Sequence, residues 1–462
     1  MRHSSRLSAI LHYLAYFGIL LLIGLFVRDL NGQPPLSSTI HSFQPIIKMG
    51  DPKYFAAGAL DVFRNGWFTS DYRWLINLWP PGFMLLEAGI LWVFGENAPF
   101  IAVLLVLSAL LQACWLTIFR QLLRPQVPAV AASLLPLLPF AFPVSRQFLL
   151  QPTGLVLGEA FALGCFLTAV LLLVRSVRTE RVGGAIAAGC LFGLAAYFRS
   201  QYGTLVTFFT LGALPLGLWL GWRIRRLPAD SGRRVGAKAS LKTILLALVA
   251  AHAIMVPWRA YAMLELDRTT WVATQELVAQ NALTPSEELY RKGGRWIVRG
   301  GGNLACLLVP EYCGQDEPSL YYRAFLEHPF EWMSRKASLL DDYWFAPLRE
   351  WMEPKSRPSR GDWVANTLLL LFLVALLPLS WRVRRERDAL VQFWILASFF
   401  GCFAALFTMV HLETRYFYPI KIFAVVATTL LAASAWSRRR SPTDAGTLPV
   451  QGERITTIGQ SA

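Results

Sequence analysis

The run Ala9-Ile10-Leu11-His12-Tyr13-Leu14-Ala15-Tyr16-Phe17-Gly18-Ile19-Leu20-Leu21-Leu22-Ile23-Gly24-Leu25-Phe26-Val27 contains no Asp, Glu, Lys or Arg. A helix needs about 20 apolar residues to cross the hydrocarbon core, because in lipid only a helix or a closed barrel satisfies its own backbone hydrogen bonds. Arg2 and Arg6 precede the run, as they would in a signal peptide. The run is long for a signal core, however, and no small-residue cleavage site follows before Asp29. It reads as an uncleaved first span.

Comparable stretches recur to the end of the chain, at 99–119, 128–145, 153–174, 183–198, 203–222, 243–261, 363–380, 389–410 and 417–436. The 462 residues are 55% hydrophobic and only 16% charged, whereas soluble chains carry about 25% charged residues. No separate soluble domain can be cut out. The expected architecture is an all-α polytopic membrane protein of about ten transmembrane helices. It forms one domain over 1–436, with two large outer loops, about 28–98 and 262–362, and a disordered cytoplasmic tail over 437–462.

A formal net charge of +15 invites a nucleic-acid reading, and the placement of that charge argues against it. The amino terminus, the connections 120–127, 175–182, 223–242 and 381–388, and the tail hold 22 of the 44 Lys and Arg but only 6 of the 29 Asp and Glu. Basic connections stay on the cytoplasmic side. The charge is therefore topology, and both termini are expected inside. The apolar run 80–94 would reach only about 22 Å as a helix, and counting it as a crossing would put the arginine-rich connections outside. It is read as a helix at the outer interface.

Chemistry is then expected outside. The cytoplasmic connections are short, and the chain contains no G-x-x-x-x-G-K-[ST], G-x-G-x-x-G or D-x-D. Long loops between spans usually carry function. In the first outer loop, Asp51 precedes Pro52, a pattern that suits an N-cap and the start of a helix. The other reading is a carboxylate at the membrane edge acting as general base toward a hydroxyl. Cys306 and Cys313 lie close together in the second large loop, where an oxidising compartment allows a disulfide; the alternative is two unpaired thiols. Cys114, Cys165, Cys190 and Cys402 fall in spans, as ordinary apolar residues.

Six short elements occur in order: Gly50-Asp51-Pro52-Lys53-Tyr54; Trp79-Pro80-Pro81-Gly82-Phe83 running to Phe94-Gly95; Gly193-Leu194-Ala195-Ala196-Tyr197-Phe198-Arg199; Pro257-Trp258-Arg259; His328-Pro329 with Arg335-Lys336; and Glu413-Thr414-Arg415-Tyr416 with Pro419. Together they resemble the GT-C membrane glycosyltransferases, in the branch containing protein O-mannosyltransferases and bacterial aminoarabinose transferases. The resemblance implies a polyprenyl-phosphate sugar donor, inverting transfer to a lipid, glycan or protein hydroxyl, and a catalytic aspartate, here Asp51. Many relatives carry an acidic residue directly after that aspartate; this chain has Pro52. The second outer turn, Arg146-Gln147-Phe148-Leu149-Leu150-Gln151-Pro152, lacks the acidic residues some relatives carry, and the next carboxylate is Glu159. No required metal is expected.

A lipid-phosphate leaving group gains negative charge as its bond to the sugar breaks, so transfer calls for fixed positive charge at the membrane surface. The planar guanidinium fork suits phosphate. Arg199, Arg259 and Arg415 stand at outer span ends, where the alternative is snorkelling to the interface. His411, Glu413 and Tyr416 flank Arg415, to orient it or to cap the span, and Lys53 lies close to Asp51. Arg291, Arg295 and Arg299 share one helical face that reads first as solvated. Trp67, Trp74 and Trp79 suit an interfacial belt or a sugar platform; Asp61 and Asp71 read as surface acids. Two other functions remain open. One is a transporter or flippase of lipid-linked saccharide, weakened by the absence of an internal duplication. The other is a non-catalytic subunit of envelope-polysaccharide assembly. The expected location is a bacterial inner membrane, with the site on its outer face.

Overall fold

The computed structural model describes residues 2–30, 35–42, 50–66, 72, 79–150, 158–225, 232–265, 283–285, 303–315, 317, 319–347, 357–383, 387–409 and 412–440. Among the described residues there is no strand. The helices run in the order α1 (Arg2–Leu30), α2 (Gly50–Asn65), α3 (Gly82–Phe94), α4 (Phe100–Leu123), α5 (Ala129–Leu134), α6 (Pro143–Leu150), α7 (Glu159–Thr179), α8 (Val182–Phe198), α9 (Ser200–Arg225) and α10 (Gly232–Glu265). After the second large loop come α11 (Leu304–Leu308), α12 (Ser319–Glu327), α13 (Pro329–Ala337), α14 (Leu340–Trp344), α15 (Arg360–Val383), α16 (Arg387–Met409) and α17 (Thr414–Arg440).

Among the described residues, six segments are long and apolar enough to cross a membrane: Leu7–Val27, Phe100–Leu123, Glu159–Thr179, Lys238–Glu265, Arg360–Val383 and Thr414–Ser437. Among the described residues, each of the ten apolar stretches picked out above contains helix. One of them departs from a simple span. Over 128–145 the chain forms α5, a 3-10 turn Leu135–Ala141 and then α6, with an 86° bend between the two halves. Counted as one broken crossing, the pair makes a seventh span. The cause is local: Pro136, Pro139 and Pro143 lack the N–H that an α-helix needs, and their rings clash with the preceding turn. Val182–Phe198, Val391–Phe407 and Gly82–Phe94 are apolar but shorter.

Lipid tails are as apolar as leucine, so helices associate there through close packing rather than water release. The centre of the bundle is α7, buried along nearly all its length. Its Phe166 meets Phe192 of α8, Tyr202 of α9, Phe399 and Phe403 of α16 and Phe423 of α17, with ring centroids 5.1–5.9 Å away. Close approach needs small residues. A Cβ at Gly189 of α8 would collide with the Ala247 carbonyl and the Ala250 side chain of α10, so the two backbones touch only because that Cβ is absent.

Part of the second large loop forms a lobe with a small core of its own, made by Leu304, Ala305, Tyr321, Ala324 and Trp332. Cys306 and Cys313 form a disulfide in it, with Cα atoms 4.8 Å apart. Lys421 of α17 anchors α14. Its ammonium donates to the Trp344 carbonyl at 2.6 Å and to Asn366 Oδ1 of α15 at 2.9 Å.

Candidate functional site

Three span ends carry the arginine cluster: the start of α7, the end of α8 and the start of α17. Phe161, two residues into α7 from Glu159, stacks on Phe198 at 5.6 Å and 27°. That contact brings Arg199, the residue after Phe198, beside Glu159. Arg199 Nη2 donates to Glu159 Oε1 in a short ion pair. Arg415 Nη1 approaches the same oxygen at 3.5 Å, and Arg415 Nε donates to Glu413 Oε2 in a second short pair. The Arg415 guanidinium also lies 5.7 Å from the Tyr416 ring centroid.

The four charged side chains are 2–10% exposed. Removing ions from water costs several kcal/mol each, and a buried pair seldom outperforms an apolar substitute of the same size. A cluster of two arginines and two glutamates at one end of an otherwise apolar bundle is therefore poor economy for a fold alone. It is the first place to look for anion chemistry.

Arg199 and Arg415 are thus brought together. Arg259 has a different partner: its Nη1 lies 3.0 Å from His252 Nδ1, two turns back along α10, while His252 Nε2 meets the Thr210 hydroxyl of α9. His411 lies outside the described residues. Asp51 and Lys53 fall in the first turn of α2, whose helical backbone begins at Gly50. Asp51 is accordingly inside the helix rather than at its N-cap, and the side chains of 51–53 are outside what is described. Arg291, Arg295, Arg299, Trp67, Trp74 and Asp71 are outside it as well.

The scaffold around Asp51 is well connected to the cluster. One turn after it, Phe55 meets Trp79 at 5.6 Å and Phe83 at 5.9 Å; Phe83 meets Phe161 at 6.0 Å, and Phe161 stacks on Phe198. Four rings therefore link α2 to the residues carrying Glu159 and Arg199. The start of α3 lies so close to the end of α8 that a Cβ on Gly82 would fall 2.5 Å from the Tyr197 carbonyl oxygen. At its far end, Arg64 of α2 donates to both oxygens of Glu96, at 2.8 and 2.7 Å, and His41 lies 3.0 Å from Glu96. The Arg64 hydrogen bond, with His41 nearby, holds the Glu96 carboxyl down at about 2. On the helix surface, Asn65 donates to Asp61 at 2.7 Å.

Sequence reading passed over two carboxylates. Glu159 was noted only as the first acid after the second outer turn, although it stands at the same bundle end as Arg199 and Arg415. Glu87 lies in α3, fully buried, with neither carboxylate oxygen hydrogen-bonded. Burial pushes its carboxyl well above the ordinary range. Among the described residues, no three His, Cys, Asp or Glu side chains gather as a metal site.

No protein-family profile matches the chain, and no curated protein does. Solved structures do. The archaeal oligosaccharyltransferase AglB from Archaeoglobus fulgidus, in complex with an inhibitory peptide and a dolichol-phosphate, superposes with a TM-score of 0.52 at 13% identity, over 91% of this chain and 50% of that one. The apo form of the Archaeoglobus fulgidus oligosaccharyltransferase gives 0.46 at 14%, over 93% and 51%. ArnT from Cupriavidus metallidurans, bound to undecaprenyl phosphate, gives 0.34 at 14%, over 93% and 78%. Only the first superposition is close enough to use, and at that identity it speaks to fold alone. The chain spans half the length of the archaeal enzyme. Its multi-span helical architecture is similar in fold to that part of the archaeal enzyme.

Proposed function

We propose that this protein transfers a sugar from a polyprenyl-phosphate carrier to an acceptor hydroxyl at the outer face of a bacterial inner membrane. The observation that supports this most is the meeting of Arg199 and Arg415 on Glu159, at the bundle end to which the Asp51 helix is tied. The donor lipid enters sideways from the bilayer and sets its phosphate against the two guanidiniums. Asp51 takes the proton of the acceptor hydroxyl as that oxygen attacks the anomeric carbon. The bond from that carbon to the phosphate oxygen breaks on the opposite face, so configuration inverts. Its electron pair stays on the phosphate, where the arginines stabilise it. Lys53, in the same turn as Asp51, assists the phosphate; Arg259, beside His252, is a second-line contact for it. His411, Glu413 and Tyr416 orient Arg415. The reaction as proposed draws its positive charge from these side chains and needs no resident metal. Acceptors are a lipid, a glycan or a protein.

The test uses membranes containing the full chain and radiolabelled polyprenyl-phosphate sugar. The expected result is labelled acceptor with the wild type, and loss of transfer by about 10²-fold or more in Asp51→Asn with donor binding retained. Unchanged transfer in that variant would refute Asp51 as the base.

A further inference from the structure

Glu159 stands between two guanidiniums supplied by distant parts of the chain, and the same oxygen, Oε1, receives both. Two like charges confined to a poorly solvated space repel each other strongly. Without a carboxylate between them, Arg199 and Arg415 have no reason to share one spot. Glu413 pairs with Arg415 from two residues away on the same segment, whereas Glu159 comes from a different helix and faces both arginines. The bridge is also held rigidly. Glu159 is the first residue of α7, the most enclosed helix of the bundle, and Phe161 is stacked on Phe198. Its other oxygen, Oε2, is buried without a hydrogen-bond partner, so the carboxylate is committed to the arginines through one atom. Arg199 Nη2 donates to that oxygen and Arg415 Nη1 stands 3.5 Å from it, so one carboxylate oxygen faces both guanidiniums.

We infer that Glu159 is a positioning residue that joins Arg199 and Arg415 into a single two-arginine clamp for the donor phosphate. This rests on the donor-site reading above. Glu159 acts through the arginines and does not itself touch the phosphate. An alternative role has the opposite sign: a carboxylate that merely competed with the phosphate for the arginines would weaken binding, and its removal would tighten it.

The experiment uses the full chain in lipid nanodiscs and undecaprenyl phosphate as the probe, with melting temperature measured in parallel. Glu159→Gln keeps size and an acceptor oxygen but removes the charge that holds the guanidiniums together. It is expected to weaken binding about tenfold and, by leaving buried guanidiniums short of a counter-charge, to lower the melting temperature as well, with Glu159→Asp intermediate in both. A double-mutant cycle supplies a readout that a purely structural role would not move. The penalties of Arg199→Lys and Arg415→Lys are expected to be non-additive when Glu159 is present, and to become additive within about twofold in the Glu159→Gln background. Binding in Glu159→Gln as tight as the wild type, or tighter, overturns the inference, as does an unchanged coupling. If both single arginine variants bind the probe like the wild type, it is the donor-site reading that fails, whatever Glu159 does.

Discussion

Replacing Lys421 by methionine should loosen α14 from the spans while leaving the bundle folded. Lys421 is fully buried, and its ammonium makes two hydrogen bonds, at 2.6 Å to the Trp344 carbonyl and at 2.9 Å to Asn366 Oδ1. It also lies 5.1 Å from the Trp344 ring centroid and 5.6 Å from that of Tyr418. Hydrogen bonds to a charged group contribute about 1.5–3 kcal/mol each. Losing both therefore costs about 3–6 kcal/mol, and the relief of no longer burying an ammonium offsets part of it. A net loss of about 3 kcal/mol remains, falling on α14 and its contact with α15. Trp344 Nε1 still donates to the Asn366 carbonyl at 3.1 Å, so α14 loosens rather than departs. The assay is backbone hydrogen exchange in nanodiscs. About 3 kcal/mol corresponds to roughly a hundredfold faster exchange in 340–346, with α7 and α8 unchanged. Exchange in 340–346 within twofold of the wild type would show that the lysine is not the anchor described here.

Two further outcomes follow from groups outside the spans. Glu87 has its carboxyl raised by burial, so the folded chain keeps a proton that the unfolded chain releases above about 4.5. Stability therefore falls as pH rises from that value toward the raised one, by up to about 1.4 kcal/mol per pH unit. Glu87→Gln should flatten this part of the melting-temperature profile, and parallel profiles would contradict the assignment. The Cys306–Cys313 disulfide closes a short loop within the lobe. By loop entropy its removal costs about 2.5 kcal/mol, so Cys313→Ser should speed proteolysis of the lobe while the spans stay protected. Equal cleavage rates would mean that the lobe core around Trp332 suffices without the bridge.

What could be read from the sequence was whatever the bilayer itself dictates. A helix must be apolar over a set length, so each of the ten apolar stretches contains helix among the described residues, and the run 80–94 was too short to count as a crossing. The bend between α5 and α6 was missed although its three prolines were in plain view. Apolarity was allowed to outrank backbone geometry, and in this segment backbone geometry prevailed. The candidate site was half legible. Arg199 and Arg415 were recognisable as arginines at span ends on one side, because that follows from topology. That they meet on Glu159, while Arg259 turns to His252, depends on which helices are neighbours, and no periodicity or charge count carries that information. The pattern at Asp51-Pro52 predicts the helix, but its start at Gly50 places Asp51 two positions past the N-cap.

The most direct test of glycosyl transfer is to reconstitute the full chain into sealed proteoliposomes with a labelled polyprenyl-phosphate sugar and an acceptor extract. Two products are then measured in the same vesicles: label in a new glycosidic bond, and intact sugar lipid moved across the bilayer. Transfer predicts the new bond, lost in Asp51→Asn and reduced in Arg415→Lys. Movement of the intact lipid with no new bond would make the protein a transporter of the lipid-linked sugar instead.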